Sequence, residues 1–387
     1  GGDAAYRMVP LFILGQFRGV SWNPGSSGAA NLPGYWRCLR AGRQNRLNYL
    51  PSVTPECSMK PDVDSLDDQL VASLFVIGFD GYELPRQTAE LLGGGLAGVT
   101  LFRRNIADRI QLTELCLSIR EAARPSGLVP IIAVDQEGGR VQRLRHVGRL
   151  YDAARDQDDP ADAGRRIGSE LALMGFNVDF APVLDVDSNP ANPIIGDRAF
   201  SADPEVVASS AVAFHDGLVS AGVMGCGKHF PGHGDASADS HLELPVIRAG
   251  LDTLQARELI PFTAAVEAGF KMLMTAHCLY PLVDANFPAT LSPCFIKPIL
   301  RGSMGFDGVV ISDDLGMKAI SDRFSPGDIV RLGVDAGLDI FLHCGIDGEA
   351  LQLIEALRDQ LDSGVIPACD VVAAAARIRT LRSRFLR

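Results

Sequence analysis

Eight short runs of β-branched and small apolar residues, each followed by a stretch with helical periodicity, succeed one another from Ser73 to the C-terminus. This alternation constrains the fold more than any other property of the chain. The runs are Ser73 to Phe79, Gly98 to Phe102, Pro130 to Asp135, Asn177 to Val186, Gly222 to His229, Lys271 to His277, Gly308 to Asp313 and Leu338 to Cys344. Amphipathic stretches lie between them, such as Gln111 to Ala123, Pro204 to Ala221, Arg257 to Ala268 and Gly348 to Leu361. A last one, Asp370 to Phe385, would close the chain against the body. Strands joined through helices pair in parallel, so the pattern predicts an α/β fold of the (β/α)8 TIM-barrel type with insertions. The competing architecture is an open doubly wound sheet. Its usual nucleotide fingerprint is missing, because Gly93-x-Gly95-x-x-Gly98 precedes a strand instead of opening a helix and reads as a turn.

At 387 residues and 47% hydrophobic the chain can bury a large core. A formal net charge of −11 and a sequence pI near 5.1 argue against a nucleic-acid partner, which would call for a basic face. No apolar run approaches the roughly 18 residues of a membrane span, and Met8 to Leu14 is too short for a signal-peptide core. The eight cysteines (Cys38, Cys57, Cys116, Cys226, Cys278, Cys294, Cys344, Cys369) are scattered without a CxxC pair, which fits reduced thiols and a cytoplasmic location. Up to Lys60 the chain carries Arg7, Arg18, Arg37, Arg40, Arg43, Arg46 and Lys60 against only Asp3 and Glu56, and it is rich in Gly, Pro, Asn and Ser. Residues 1–62 therefore read as a poorly ordered basic extension, and 63–387 as one barrel domain with no room for a second, expected to be a monomer.

The polar ends of the predicted strands are where an α/β barrel keeps its chemistry. They supply Asp135, Asp185, Lys228 with His229, His277 and Asp313, which would open onto one face. Each has a plainer reading as the cap of the following helix, and for Asp185 and for Asp314 that reading is the preferred one. The richest segment runs from Lys228 through His229, His233 and Asp235 to Asp239-Ser240-His241. A carboxylate two residues before an imidazole can accept from the ring and raise its basicity, making His241 a tunable proton donor and acceptor. With Asp313 as nucleophile, such a pair would perform double displacement at an acetal carbon. Metal is the alternative, with His229, His233, Asp239 and His241 as ligands, although HxH and HExxH spacings are missing. Lys228 has the chemistry of a Schiff-base lysine, but its neighbours favour a substrate clamp. Asp135 with Arg143, on the loop Asp135 to Arg143, could grip vicinal hydroxyls, and Arg198 in Gly196 to Phe200 has Asp197 beside it as partner.

These segments, together with Asn177 to Val186 and Ile311-Ser312-Asp313-Asp314-Leu315-Gly316-Met317, resemble the bacterial β-N-acetylglucosaminidases of glycoside hydrolase family 3. The likeness runs in order from about Asp64 to Arg387, and the Asp-x-His dyad separates these enzymes from the family's β-glucosidases. It implies a cofactor-free retaining exo-enzyme in which Asp313 is the nucleophile, His241 the general acid/base and Asp239 its orienting partner. It further implies that Asp135, Arg143, Arg198, Lys228 and His229 bind the N-acetylglucosamine ring, and that the substrate is a small carbohydrate, a muropeptide fragment of peptidoglycan recycling. Residues Gly148 to Asp159 replace a Pro-rich segment expected after Arg143, and the basic extension has no family counterpart. The rival classes are a metal-dependent barrel hydrolase and a non-catalytic sugar-binding protein.

Overall fold

In the computed structural model, residues 68–237, 243–345 and 348–386 are described. Eleven strands are present among them. They are β1 (Phe75–Ile77), β2 (Gly98–Thr100), β3 (Ile131–Val134), β4 (Gln136–Gly138), β5 (Val141–Gln142), β6 (Val178–Asp179), β7 (Met224–Gly225), β8 (Gly227–Phe230), β9 (Met272–Thr275), β10 (Val309–Ile311) and β11 (Phe341–His343). One parallel sheet runs β11-β1-β2-β3-β6-β7 and another β10-β9-β8. β7 and β8 are two halves of one strand, interrupted at Cys226. Parallel bridges Val183↔Lys228 and Ile311↔Ile340 join the two sheets, closing an eight-stranded parallel ring, a TIM barrel as the alternation predicts.

The strands are buried on both faces, which is why they read as continuous apolar runs rather than as alternating ones. The ring is tight. A Cβ on Gly98 would lie 2.1 Å from the Ile131 carbonyl oxygen, so β2 can approach β3 only with glycine there. Outside the ring, Pro160–Met174, Pro204–Ser220 and Pro326–Ala336 each begin with proline at N1 behind a capping Asp159, Asp203 or Ser325. The last helix, Ala368–Arg384, docks through Arg377, 2.8 Å from Asp339, and through the fully buried Arg382, which donates to the Val129 carbonyl. No helix among the described residues is long and apolar enough to cross a membrane.

Three details depart from the predicted elements. Asn177 to Val186 pairs as a continuous strand only at Val178–Asp179 and then through the single bridge Val183↔Lys228, with Pro182, which has no N–H to donate, between them. The loop after β3 forms an unforeseen antiparallel hairpin, β4 with β5, whose register shifts between Gln136 and Gly138. Residues 148–159 fold back on that hairpin: Gly139 N donates to Tyr151 O at 2.9 Å, and Gln142 bonds both main-chain groups of Tyr151. The basic extension, residues 1–62, lies outside the described residues.

Candidate active site

At the C-terminal rim, ends of non-consecutive strands meet. Asp135 follows β3, Glu137 lies on β4 and Lys228 on β8. Lys228 Nζ is 2.8 Å from Asp135 Oδ1 and 2.6 Å from Glu137 Oε1, with almost no solvent exposure. Arg198 grips Glu137 by two 2.8 Å bonds, and Arg143 reaches Asp135 Oδ2 at 3.1 Å. Burial works against ionisation of both carboxyls. The cations outweigh it, holding Glu137 down at about 2 and Asp135 below its usual range. Burial likewise opposes the charge of Lys228, but Asp135 and Glu137 hold the ammonium firmly protonated. The result is a rigid plate of fixed donors and acceptors, suited to a polyhydroxylated ring.

Beneath it Asp179 is buried and accepts from Gln136 N at 3.0 Å. Burial, with Asp135 and Glu137 adding their charge, raises its carboxyl well above the usual range, which favours its protonated form.

Asp185 is buried among imidazoles. It accepts from His229 Nδ1 at 2.7 Å and from His233 N at 2.7 Å. An ionised carboxylate can only accept, so Nδ1 carries the proton and Nε2 of His229 is left for a substrate group. The helix-cap reading of Asp185 is therefore corrected: its partners lie on β8 and the loop after it. Asp314 is corrected in the same way, since it accepts from Gly316 N (3.0 Å) and Cys344 N (2.8 Å), tying the turn after β10 to the end of β11. Arg198 is a third correction. Its partner is Glu137, while Asp197 faces Arg140.

Asp313 stands two residues beyond β10, and its Oδ1 accepts from Asp314 N at 2.8 Å. Burial pushes its carboxyl up, but His229, His277, that N–H and Lys228 together leave it below its ordinary value, an ionised carboxylate at neutral pH. His277 is itself held by Thr290 (2.8 Å) and the Asp314 carbonyl (3.0 Å).

Asp239 and His241 lie outside the described residues. The segment leading to them is anchored: Asn192 donates to the carbonyls of His233 and Gly234 at 2.9 Å, and Arg257 pairs with Asp235 at 2.8 Å. Gly232, at φ +126°, lies against Glu258, whose buried carboxyl is pushed up to about 7 by burial. Of the residues proposed as metal ligands, His229 is engaged by Asp185, and burial lowers the His233 ring to about 4. No group of three or more His, Cys, Asp or Glu is arranged to hold a metal among the described residues.

Sequence reading brought Asp135, Arg143, Arg198, Lys228, His229 and Asp313 to this rim, where the barrel unites them. It passed over Glu137, Asp179 and Glu258. For Glu137 a signal existed, since it is an acid in the same strand-end segment as Asp135.

The family model for the glycosyl hydrolase family 3 N-terminal domain matches residues 68–381. The chain belongs to glycosyl hydrolase family 3. A β-hexosaminidase of Stenotrophomonas maltophilia is 42% identical over 286 residues, covering 70% of this chain and 83% of that protein. Among solved structures, a family 3 β-N-acetylglucosaminidase from Paenibacillus sp. str. FPU-7 is 37% identical with a TM-score of 0.78. That match covers 82% of this chain but only 62% of the Paenibacillus protein. NagZ from Neisseria gonorrhoeae, solved with N-trifluoroacetyl-D-glucosamine, is 33% identical with a TM-score of 0.65, over 80% of this chain and 98% of that one. This family 3 chain is accordingly a glycoside hydrolase of the β-hexosaminidase kind, and the rim just described is its candidate active site.

Proposed function

We propose that this enzyme is a retaining exo-β-N-acetylglucosaminidase acting on muropeptide fragments that end in non-reducing N-acetylglucosamine. The observation that carries the reading is the ionised Asp313 carboxylate at the end of β10, set on the same rim as the Lys228, Asp135, Glu137 and Arg198 plate. In the first step Asp313 attacks the anomeric carbon, forming a glycosyl-enzyme ester as the bond to the leaving oxygen breaks and His241 donates it a proton. In the second, His241 takes a proton from water, which attacks the same carbon and releases Asp313. Asp239 orients the His241 ring. Asp135, Arg143, Arg198, Lys228 and His229 hold the sugar, and the acylamido sugar bound to the Neisseria relative is consistent with that pocket chemistry. We assign catalysis to residues 63–387, acting as a cytoplasmic monomer, with residues 1–62 an extension outside it.

The test is release of p-nitrophenol from its β-N-acetylglucosaminide and from its β-glucoside, each with and without EDTA. Turnover of the acetamido sugar alone, indifferent to EDTA and lost in Asp313→Ala with the fold retained, is the expected result. Substantial residual hydrolysis by pure Asp313→Ala protein would remove the nucleophile assignment, loss with EDTA would favour a metal hydrolase, and binding of the sugar without turnover a sugar-binding protein.

A further inference from the structure

Residues 148–159 supply no group to the sugar plate, yet they touch both loops that do. Glu137 sits on the hairpin after β3, and Arg198 on the single turn Gly196–Arg198 of the loop after β6. The two 2.8 Å bonds between them require those loops to hold one separation, although the residues are 61 apart in the chain. At the hairpin, Gly139 N and Gln142 Nε2 both donate to the Tyr151 carbonyl at 2.9 Å, and Tyr151 N donates back to Gln142 Oε1 at 2.9 Å. A Cβ on Gly138 would strike the Asp152 carbonyl, and one on Gly139 would lie 2.7 Å from Ala153 Cβ, so the two backbones meet only because both positions are glycine. At the other end Arg155, on the turn Ala154–Asp156, donates to Gly196 O at 3.1 Å and to Ala199 O at 3.4 Å, the carbonyls on either side of Arg198 in the chain. The same guanidinium holds Asp187 Oδ2 at 2.7 Å, and Asp187 N donates to Ser201 O at 3.1 Å. The segment is fastened in turn to the helix Pro160–Met174, where the buried Glu170 accepts from Arg149 N at 3.1 Å and from Tyr151 OH at 3.2 Å.

A charge pair fixes its two members to each other but not where the pair sits, because it can travel with either loop. An error of an ångström in that place is costly to a reaction that depends on a held geometry. Arg140 also donates to the Ile194 and Ile195 carbonyls, but these precede the turn, whereas Arg155 holds both its ends. We propose that residues 148–159 are a brace that sets the Glu137–Arg198 pair in place, with Arg155 the positioning residue for Arg198 and Gln142, through Tyr151, the positioning residue for the hairpin of Glu137. This rests on the glycosidase reading above and adds to it residues that act on the sugar only through the plate.

The experiment measures kcat/KM on the p-nitrophenyl β-N-acetylglucosaminide for Arg155→Ala, Arg155→Lys and Gln142→Ala, and for each alanine change again in an Arg198→Ala background. The Arg155 side chain is 38% exposed, so its removal opens no cavity, and Arg155→Ala should melt within about 2 °C of its parent. Its kcat/KM should fall about tenfold. In the Arg198→Ala background, where no pair is left to position, the same change should cost less than about twofold, and Gln142→Ala should show the same dependence. Arg155→Lys should stay closer to the alanine variant than to the parent, because one nitrogen cannot serve Asp187 and both carbonyls. Equal losses in the two backgrounds would mean that Arg155 supports the fold and not the pair, and they overturn the brace. So does full activity in Arg155→Ala or in Arg155→Lys, and each of these results leaves the glycosidase standing. No turnover by the unmodified enzyme removes the glycosidase reading itself, and the brace with it.

Discussion

Glu137→Gln tests whether the buried charge plate is the structural basis of the site. Glu137 is 5% exposed and receives Lys228 at 2.6 Å and two bonds from Arg198 at 2.8 Å. Its carboxyl is held at about 2 against an ordinary 4.5, because Arg198 and Lys228 overcome its burial. A carboxyl depressed in the folded state contributes stability that is fully present above its unfolded value and is lost as pH falls toward its folded value. A depression of that size is worth about 3 kcal/mol at pH 7 and about 1 kcal/mol at pH 3. In a domain of this length 3 kcal/mol corresponds to about 5 °C in Tm. Glutamine also turns an amide N–H toward one of two cations, which adds to the loss. With one oxygen left to serve Arg198 and Lys228, at least one of their three bonds to this side chain is lost, the sugar plate is misplaced, and kcat/KM should fall on the order of a hundredfold. Thermal melts of both proteins at pH 7, 5 and 3, with kcat/KM on the p-nitrophenyl glycoside, measure all of this. A variant melting within a degree of its parent at pH 7, or a gap that stays constant down to pH 3, would refute the reasoning.

Asp179→Asn should melt at or above the parent at pH 7 and keep kcat/KM within about threefold, because an acid whose folded value is raised loses stability as pH climbs above its unfolded value and the amide does not. Asp179→Ala, which strips Gln136 N of its acceptor, should cost about 1–3 kcal/mol; an Asn variant that melts several degrees low would contradict the raised carboxyl. Asp185→Asn removes the acceptor that fixes the His229 ring, and kcat/KM should drop about ten- to a hundredfold by analogy with other orienting carboxylates; unchanged kinetics would show that ring orientation does not matter. His241→Ala should cost far less on the p-nitrophenyl glycoside than on a disaccharide, whose leaving oxygen needs the proton, and equal losses on both would argue against its acid role.

What could be read along the chain and what could not divide on a physical line. Strands buried on both faces write themselves as unbroken apolar runs, so the eight barrel strands and the polar residues ending five of them were legible without any contact being known. Asp135, Lys228, His229 and Asp313 follow from that alone. The partner of each group was not legible, because the strands pair in chain order while the side chains at their ends meet across the rim, which no local pattern records. Asp185 and His229 lie 44 residues apart, and Glu137 and Arg198 lie 61 apart. A strand-end aspartate followed by a helix looks the same whether it caps that helix or orients an imidazole on the next strand. The preference for capping at Asp185 went wrong for this reason, as did the choice of adjacent Asp197 over distant Glu137 for Arg198. The raised carboxyl of Asp179 was more remote still, since it depends on burial first and then on two carboxylates that only the folded rim brings near it. Charge pairing at this rim is thus a property of ring order: β3 with its hairpin, β6 and β8 converge, and that convergence turns acids scattered along the chain into one plate with a defined set of proton states.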